Sequence, residues 1–411
     1  MKTDFDALII GAGVAGSSAA ILLAQAGWSV ALVEKRRFPR RKVCGECIAA
    51  SNLPLLDALG IGEAFDRLAG APLRRVGLFA GNHRMVAALP RYDHARHGWG
   101  RALGREHLDT LLLQRAAELG ATIWQPWTVR TVSQDGDRHV CTAEALDSGE
   151  SVALSASILI DAHGSWEPDP SVAQRRHVAA KGSDLFAFKG NFSGADLEAD
   201  LLPVLAFPGG YGGMVLADNN VLTLACCIRR DTLRTIRART PGLKAAAAVQ
   251  AFLEASVLGV RQVLACARPE GAWLSAGPIR PGLRSPAPGP RQFAIGNAAG
   301  EAHPILGEGI SMAIQSAWLL CGQLIPRREQ WLAGGAGAQT GDAYASAWRR
   351  SFARRIRIAA VLSHLAMRPA TGVLLPLLRR WPGLLTAAAR LGGKIHCVVD
   401  PASAPFARKF E

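Results

Sequence analysis

The residues whose types and spacing most directly suggest chemistry form a glycine-rich segment near the N-terminus. It reads Gly11-Ala12-Gly13-Val14-Ala15-Gly16, directly after an apolar run at 7–10 and before a helical run at 17–26. In this spacing the first glycine permits a tight turn, the second lets the backbone approach a pyrophosphate, and the third lets the helix pack on the sheet. Because the helix N-terminus also presents free N–H groups, the segment predicts a dinucleotide site.

A carboxylate follows this segment at the distance that such a site requires. Glu34 comes directly after the next apolar run, 28–33, and a carboxylate there can accept hydrogen bonds from both hydroxyls of an adenosine ribose. Lys35 follows Glu34 and is expected in the same site. From these residues alone, a glycine-rich turn without a ligand stays open.

A second glycine-rich segment lies near residue 300. Residues 293–300 have the pattern of a strand that runs into a turn of small residues, and Gly307, Gly309 and Ile310 open a helical run. Such a loop aims backbone N–H groups at an anion, which in a flavoprotein is the reduced isoalloxazine. Taken alone, this loop also fits a packing role. Together with the first motif, and with no second G-x-G-x-x-G in the chain, it predicts one tightly bound FAD.

At these two segments the chain resembles the large FAD-dependent family that contains aromatic-ring hydroxylases, geranylgeranyl reductases and flavin halogenases. The resemblance covers about residues 4–325. The predicted fold class is α/β, with a Rossmann-like FAD-binding domain of the glutathione-reductase type, an inserted antiparallel-sheet substrate domain and a helical C-terminal tail. The expected boundaries are 1–70, 101–166 and 281–330 for the FAD-binding domain, 71–100 and 167–280 for the substrate domain, and 335–411 for the basic, apolar, helical C-terminal region.

The resemblance implies further contacts with FAD. Arg105 is similar to a family arginine that reaches the pyrophosphate, and Val129 stands where the family packs its backbone against adenine. Asn297 replaces an aspartate that usually binds the ribityl chain, and its amide can still bond a hydroxyl. The segment 41–46 is similar to a loop that passes the flavin in reductase-like members. The contacts expected from that loop are Arg41, Cys44 and Gly45.

The chain departs from the family in segment 158–165. His163 occupies the place of an aspartate that the hydroxylases link to both FAD and NAD(P)H. We expect Asp161 to take part of that role, with Gly164 as a further contact of the cofactor. The electrons are accordingly expected either from NAD(P)H or from a separate reductase.

The expected substrate side also departs from two branches of the family. Residues 207–214 lack the tryptophan that similar segments carry in flavin halogenases and in reductase-like relatives, and Gly213 stands in its place. Together with residues 226–230, this segment looks most like the FAD-dependent oxygenases that accompany type III polyketide synthases. The resemblance implies dioxygen-dependent hydroxylation of an aromatic or polyketide-like lipophilic substrate through a C4a-hydroperoxyflavin. Two alternatives stay open: a flavin-dependent reductase of carbon–carbon double bonds in a prenyl or polyketide chain, and a flavin-binding protein without turnover.

Four residues are candidates for direct roles in such a reaction. Hydroxylation of a phenol needs a base that removes the phenolic proton, and His303 and Glu308 flank the second glycine-rich loop. Tyr211 and Glu46 are candidates for contacts with the substrate or the flavin. Each of the four also fits a structural role, as Glu308 does if it is an acid in the first turn of a helix.

The composition describes a globular chain with a strongly basic C-terminal region. The 411 residues carry a formal net charge of +14, and residues 341–411 hold twelve Lys and Arg against three Asp and Glu. This region is expected to lie on an anionic membrane surface, to cover the entrance for a lipophilic substrate, or to pack on the body as a solvated arginine-rich helix. No nucleic-acid motif accompanies the charge, so no nucleic-acid partner is predicted.

The sequence also bears on where the protein works. No signal peptide and no run long enough to span a bilayer are recognisable, so a cytoplasmic protein is expected, with peripheral contact at the inner membrane surface left open. Eight scattered cysteines fit reduced thiols. Cys44 and Cys47 form a C-x-x-C that fits either a redox dithiol or flavin-contacting backbone, and no metal site is predicted.

Overall fold

The computed structural model describes residues 3–165, 179–333, 338–368, 381, 383–391 and 394–401. Within these residues the strands are β1 (Asp4–Ile10), β2 (Val30–Val33), β3 (Cys47–Ile48), β4 (Arg75–Ala80), β5 (His83–Ala88), β6 (Arg101–Ala102), β7 (Thr122–Trp124), β8 (Trp127–Asp135), β9 (Arg138–Ala145), β10 (Ser151–Asp161), β11 (Leu185–Ser193), β12 (Leu201–Phe207), β13 (Gly210–Leu216), β14 (Leu222–Arg229), β15 (Arg268–Pro269), β16 (Leu274–Ile279), β17 (Gly282–Leu283), β18 (Gln292–Ala294) and β19 (Gly300–Glu301). The helices are α1 (Val14–Gln25), α2 (Leu53–Ala58), α3 (Gly62–Leu68), α4 (Arg105–Glu118), α5 (Arg230–Arg239), α6 (Ala245–Ser256), α7 (Leu258–Leu264), α8 (Gly309–Leu324), α9 (Arg328–Leu332), α10 (Ala338–Ala366) and α11 (Gly383–Leu391).

The first sheet has seven strands in the order β7-β2-β1-β10-β9-β8, with β18 also paired to β10. β7, β2, β1, β10 and β18 are parallel, whereas β9 and β8 form an antiparallel extension. The parallel strands are apolar because both faces are covered, one by α1, α4 and α8 and the other by side chains of β8 and β9. In register, Ile10, Asp161 and Ala294 lie side by side at the ends of β1, β10 and β18. The loops that follow these three strands therefore meet at one edge of the sheet.

The second sheet has eight strands and is built from two separate stretches of the chain. Its order is β15-β11-β14-β13-β12-β4-β5, with β16 also paired to β11, and its pairs are antiparallel except for the parallel pair β12–β4. Helices α5, α6 and α7 bury their apolar sides on one face. The Rossmann-like α/β sheet, the mostly antiparallel second sheet and the helical C-terminal region confirm the predicted fold class.

The C-terminal region adds two described helices to this body. On α10, Tyr344, Trp348, Phe352 and Ile356 recur every four residues and are buried in the core that includes α1 and α8. α11 packs against β4 and β5. The leucine-rich stretch that separates the two helices in the sequence, residues 369–380, lies outside the described residues. No described helix is both long and apolar enough to cross a membrane.

Candidate functional site

A cavity of about 670 Å³ lies between the two sheets, and most of the side chains in its wall are apolar. One part of the wall comes from loops at the edge of the first sheet, including both glycine-rich segments. Another part comes from β12, β13 and β14 of the second sheet, and a third from the last turn of α10 and from α11. A concave, largely apolar space between two domains is where a cofactor and a small substrate usually bind.

The N-terminal glycines of this wall have different mechanical roles. Gly11 has a φ of +101°, and a Cβ added at Gly16 would lie 1.8 Å from the Gly11 carbonyl oxygen, so both positions shape the turn itself. A Cβ added at Gly13 would instead meet only the Arg105 guanidinium within 4 Å, at 3.7 Å. Gly13 and Ala15 line the cavity. This cradle has room for a pyrophosphate at the N-terminus of α1, beside a fixed positive charge.

Glu34 is held firmly at the end of β2 and is almost fully buried. Its Oε2 accepts a hydrogen bond from the Ala12 N–H at 2.9 Å, and its Oε1 accepts one from the Arg36 N–H at 2.8 Å. The carboxylate therefore ties the glycine-rich turn to the second strand, and its remaining lone pairs leave room for ribose hydroxyls. Glu34 and the half-exposed Lys35 do not line the cavity.

The second glycine-rich loop lies on the same cavity at the N-terminus of α8. Gly307, at a φ of +62°, and Gly309 and Ile310 all line it, and a Cβ added at Gly309 would meet nothing within 4 Å. The first turn of α8 therefore begins at the cavity, and its N–H groups, which have no partner within the helix, suit an anion. Asn297 also lines the cavity, and its amide donates to the Ser165 hydroxyl at 2.7 Å.

Arg105 lies where a pyrophosphate-binding arginine is expected. Its Nε and Nη2 each donate to the Asp109 carboxylate at 2.7 Å, and both side chains are buried. This bidentate pair fixes the guanidinium beside the glycine cradle. Asp109 was not among the predicted site residues, although its i, i+4 spacing from Arg105 on a helix was a signal for the pair.

The loop 41–46 lines the cavity with two of its three predicted contacts and also with Lys42, which was not predicted. Arg41 was predicted to contact the cofactor, but its guanidinium donates to the carbonyls of Glu270, at 3.2 Å, and Ala272, at 3.4 Å, on the side away from the cavity. Its neighbour Lys42 faces the cavity instead, together with Cys44 and Gly45, which were predicted. Burial, followed by the nearby Arg105 and Arg40 cations, lowers the pKa of Lys42 to about 8.

Two further predicted cofactor contacts lie outside the cavity wall. Oδ1 of Asp161 accepts from the backbone N–H of His163 at 3.1 Å and is paired with the His163 ring, so this carboxylate orders its own loop. Val129 lies on β8, directly before an irregularity in its pairing with β9, and packs against the core on that side of the first sheet. Gly164, at a φ of +89°, does line the cavity.

Glu46 lines the cavity, but its carboxylate is bonded to protein groups. It forms a buried ion pair with Lys189 of β11 and also accepts hydrogen bonds from the Arg105 N–H at 3.0 Å and the Thr223 hydroxyl at 2.5 Å. The Glu46 and Lys189 side chains are 1% and 0% exposed. The pair therefore fastens the cavity loop to the second sheet. Nothing local in the sequence indicated Lys189 or Thr223 as its partners.

Tyr211 and His303 were separate candidates, and the structure brings them together. Tyr211 is buried in the cavity wall, and its hydroxyl lies 3.2 Å from Nδ1 of His303. Burial, followed by the nearby His364, lowers the pKa of His303 to about 4, while burial raises the pKa of the Tyr211 hydroxyl. At neutral pH, His303 is uncharged, and its Nδ1 can accept a hydrogen bond from the Tyr211 hydroxyl. His303 itself does not line the cavity.

Glu308 was a candidate base, but its side chain is not part of the cavity wall. It is 1% exposed at the start of α8, and neither carboxylate oxygen has a hydrogen-bond partner within the described part of the chain. The nearest cation is Arg355 on α10, with Nη1 at 3.6 Å. Burial raises the pKa of Glu308 to about 7, and the Lys394 and Arg355 charges only partly oppose that shift.

A match to a known protein family points to the same cofactor as this geometry. The family described as FAD binding domain matches residues 4–359. Tryptophan 2-halogenase of Chondromyces crocatus is 27% identical over 76% of this chain, and the chain spans only 59% of that protein's length. Menaquinone reductase of Mycolicibacterium smegmatis is 26% identical over 96% of this chain and 93% of its own length.

The likeness extends to solved structures. A flavin-dependent brominase superimposes with a TM-score of 0.76 at 19% identity, covering 97% of this chain and 95% of its own. Among the described residues, no group of three His, Cys, Asp or Glu side chains could hold a metal ion. The family match and these relatives confirm the predicted resemblance to the FAD-dependent family of hydroxylases, geranylgeranyl reductases and flavin halogenases. Because the family match covers most of the sequence, this chain belongs to the FAD binding domain family of FAD-dependent oxidoreductases.

Proposed function

We propose that the protein is an FAD-dependent monooxygenase that hydroxylates an aromatic or polyketide-like lipophilic substrate. In the overall reaction, the substrate, dioxygen, NAD(P)H and a proton give the hydroxylated substrate, water and NAD(P)⁺, with the electrons arriving directly or through a separate reductase. Bound FAD supplies the activation of dioxygen. The observation that carries the proposal is the mostly apolar cavity with both glycine-rich loops and the Tyr211 hydroxyl in its wall.

The residues at the edge of the first sheet fit FAD. Gly13 and Arg105 would hold the pyrophosphate, and Asn297 would bond the ribityl chain. The first turn of α8, from Gly309, would present N–H groups to the electron-rich edge of the flavin ring. Lys42 adds a positive charge to the same space, which suits a dianionic pyrophosphate or a reduced flavin.

The Tyr211–His303 pair supports removal of a phenolic proton without a charged base in the cavity. The Tyr211 oxygen can accept a hydrogen bond from a substrate hydroxyl while its own proton is donated to Nδ1 of His303. The His303 ring lies edge to face with His364, at 6.1 Å between ring centroids, and His364 is exposed. The Tyr211–His303 hydrogen bond would therefore be the start of the proton path, and the exposed His364 lies beside it.

Isotopically labelled dioxygen tests the proposal directly. The holoenzyme is supplied with NAD(P)H, a generic flavin reductase and a series of alkylated phenols, and the products are measured by mass spectrometry. We expect substrate-dependent oxygen consumption and one labelled oxygen atom per product molecule. The matched reaction under argon should give no product. A series in which no phenol gains labelled oxygen, although the protein carries FAD, would overturn the proposal.

The menaquinone reductase match favours a second candidate function, reduction of a carbon–carbon double bond in a prenyl or polyketide chain. That relative aligns over nearly the full length of both chains. Such a reaction adds one hydride and one proton to the substrate and needs no dioxygen. The argon reaction distinguishes the two functions when it is repeated with prenylated quinones, because a product that stays heavier by two hydrogens after its ring is reoxidised to the quinone supports the reductase.

A further inference from the structure

The most exposed large apolar side chains are concentrated in the C-terminal region. Among the described residues, the four with the highest exposure are Val361 and Trp381, both at 61%, Leu384 at 51% and Leu365 at 50%. Single exposed apolar residues are ordinary on a protein surface, but a group of them marks a surface that contacts something apolar.

Packing brings these side chains together although they lie on two helices. Ala366, in the last turn of α10, and Leu385, on α11, pack against the same small cluster of Ala80, Met85 and Ala206. The last turn of α10 and the first turn of α11 therefore lie close together, and the exposed Leu365 and Leu384 belong to these two turns. The Trp381 carbonyl accepts a hydrogen bond from the Leu384 N–H at 3.0 Å, which places Trp381 one turn away.

A stripe of arginines extends from this apolar patch along α10. Arg350, Arg354, Arg357 and Val361 are all exposed, and their spacing of three and four residues places them on one side of the helix, while the exposed Arg368 follows two residues after its end. The sequence from 343 to 399 contains ten Lys and Arg and no Asp or Glu. The occupant of this surface must therefore carry negative charge as well as apolar groups.

The cavity reaches the same surface. Leu365 is half exposed and also lines the cavity, as does the exposed Arg368. On α11, Leu385, Ala388 and Ala389 line the cavity from the inner side of the helix. The apolar interior and the apolar patch are therefore continuous between the last turn of α10 and α11.

We propose that this surface, formed by the arginine stripe of α10 and the apolar patch of Val361, Leu365, Trp381 and Leu384, docks on an anionic membrane. Arginines supply the attraction to lipid phosphates, and the tryptophan and aliphatic side chains enter the boundary between headgroups and acyl chains. A lipophilic substrate then passes from the bilayer into the cavity without crossing water. The docking stands on the surface alone, whereas entry of the substrate rests on the proposed function.

The test measures co-sedimentation of the full-length holoprotein with vesicles. One set contains phosphatidylcholine only, and the other contains phosphatidylcholine with about a third phosphatidylglycerol. We expect binding to the anionic vesicles that falls with added salt, and much weaker binding to the neutral ones. Equal binding to both sets, or to neither, would overturn the proposal.

Two variants and a matched control locate the surface. In the first variant, Arg350, Arg354 and Arg357 are replaced by Gln, and vesicle affinity should fall on the order of 100-fold, at about fivefold per arginine. In the second, Val361, Trp381 and Leu384 are replaced by Ser, and affinity should fall at least about tenfold. In the control, Leu146 and Leu243, which are 48% and 46% exposed elsewhere, are replaced by Ser and affinity should stay unchanged.

The readouts keep the two proposals separate. FAD content and thermal unfolding show whether each variant is folded, and hydroxylation of a water-soluble phenol reports on the cavity without a membrane. Loss of vesicle binding with that activity intact supports the docking surface. Binding only to an acidic carrier protein, and not to anionic vesicles, would assign the surface to a protein partner and contradict the membrane proposal.

Discussion

The two main walls of the cavity are built in different ways. The wall on the first sheet is made of backbone turns, and each turn is encoded by neighbouring residues, as in Gly11–Gly16 and Gly307–Ile310. The wall on the second sheet is made of apolar side chains, and it is joined to the first by the buried Glu46–Lys189 pair, whose partners are 143 residues apart. Cofactor binding therefore depends on local turns, whereas the shape of the substrate side depends on how the two sheets dock.

The largest expected effect comes from breaking the junction between the walls. Lys189→Met leaves the Glu46 carboxylate buried without its cation, which should lower the free energy of unfolding by about 3–5 kcal/mol. Chemical denaturation of the purified variants measures this loss. Lys181→Met is the matched control. Because Lys181 is exposed, this replacement should change the free energy of unfolding little.

A double variant sharpens the same comparison. Glu46→Gln combined with Lys189→Met removes both charges and should recover most of the lost stability, because no uncompensated charge stays buried. If the double variant is no more stable than Lys189→Met alone, the pair is not the element that fastens the two walls.

The next-largest effect on stability is expected at Glu308, which is buried at the start of α8 in the second glycine-rich loop. Its pKa in the folded protein is raised to about 7 from an ordinary 4.5, so the folded state binds this proton more tightly than the unfolded chain does. The protein should therefore lose stability as the pH rises from about 4.5 to about 7. Glu308→Gln removes this loss and should raise the free energy of unfolding near pH 8 by about 3 kcal/mol.

Unfolding measured at several pH values checks this prediction. The difference between Glu308→Gln and the parent protein should be small near pH 4 and should grow toward pH 8. Glu150→Gln, an exposed control, should show no such growth. A constant difference across the range would mean that Glu308 keeps its charge when buried.

A smaller effect is expected on the second wall, where Tyr211→Phe keeps the ring and removes the hydroxyl that bonds His303. Turnover of a phenol should fall on the order of 100-fold because the proton path begins at this oxygen. FAD content should stay unchanged. Tyr344→Phe is the matched control, since the buried Tyr344 hydroxyl donates to the Ala294 carbonyl at 2.8 Å, away from the cavity wall. Equal turnover in both variants would exclude Tyr211 from the proton path.

The smallest effect tests the glycine cradle. Gly13→Ala adds a methyl group to the cavity wall without a clash inside the protein, so the fold should persist while the dissociation constant for FAD rises roughly tenfold. Gly322→Ala, on α8 with open space around its Cβ, should leave FAD affinity unchanged. Fluorescence titration of the apoprotein with FAD measures both. Unaltered affinity in Gly13→Ala would place the pyrophosphate elsewhere.

The contrast between the walls also explains what the sequence could predict. The fold class and the two glycine-rich loops were predictable because strand, turn and helix signals lie within about twenty residues of each other. The partners of Glu46 and the contact between Tyr211 and His303 were not, since they depend on the docking of distant strands.

Side-chain direction was a second limit on prediction. Of the predicted contacts Arg41, Cys44 and Gly45, the last two line the cavity, whereas Arg41 does not and its neighbour Lys42 does. Likewise, Glu308 lies between Gly307 and Gly309 in the loop but turns toward Arg355. Adjacent residues of a loop point to different sides, and which side is inward is fixed only by the surrounding structure.

The central claim is that one cavity holds the flavin and a lipophilic substrate side by side. Titration of the FAD-loaded protein with a long-chain alkylphenol, followed in the visible absorption spectrum, tests this most directly. We predict a saturable change in the flavin bands at one ligand per protein, reduced in Tyr211→Phe. A protein that takes up no FAD, or a flavin spectrum that no lipophilic phenol alters, would contradict the account.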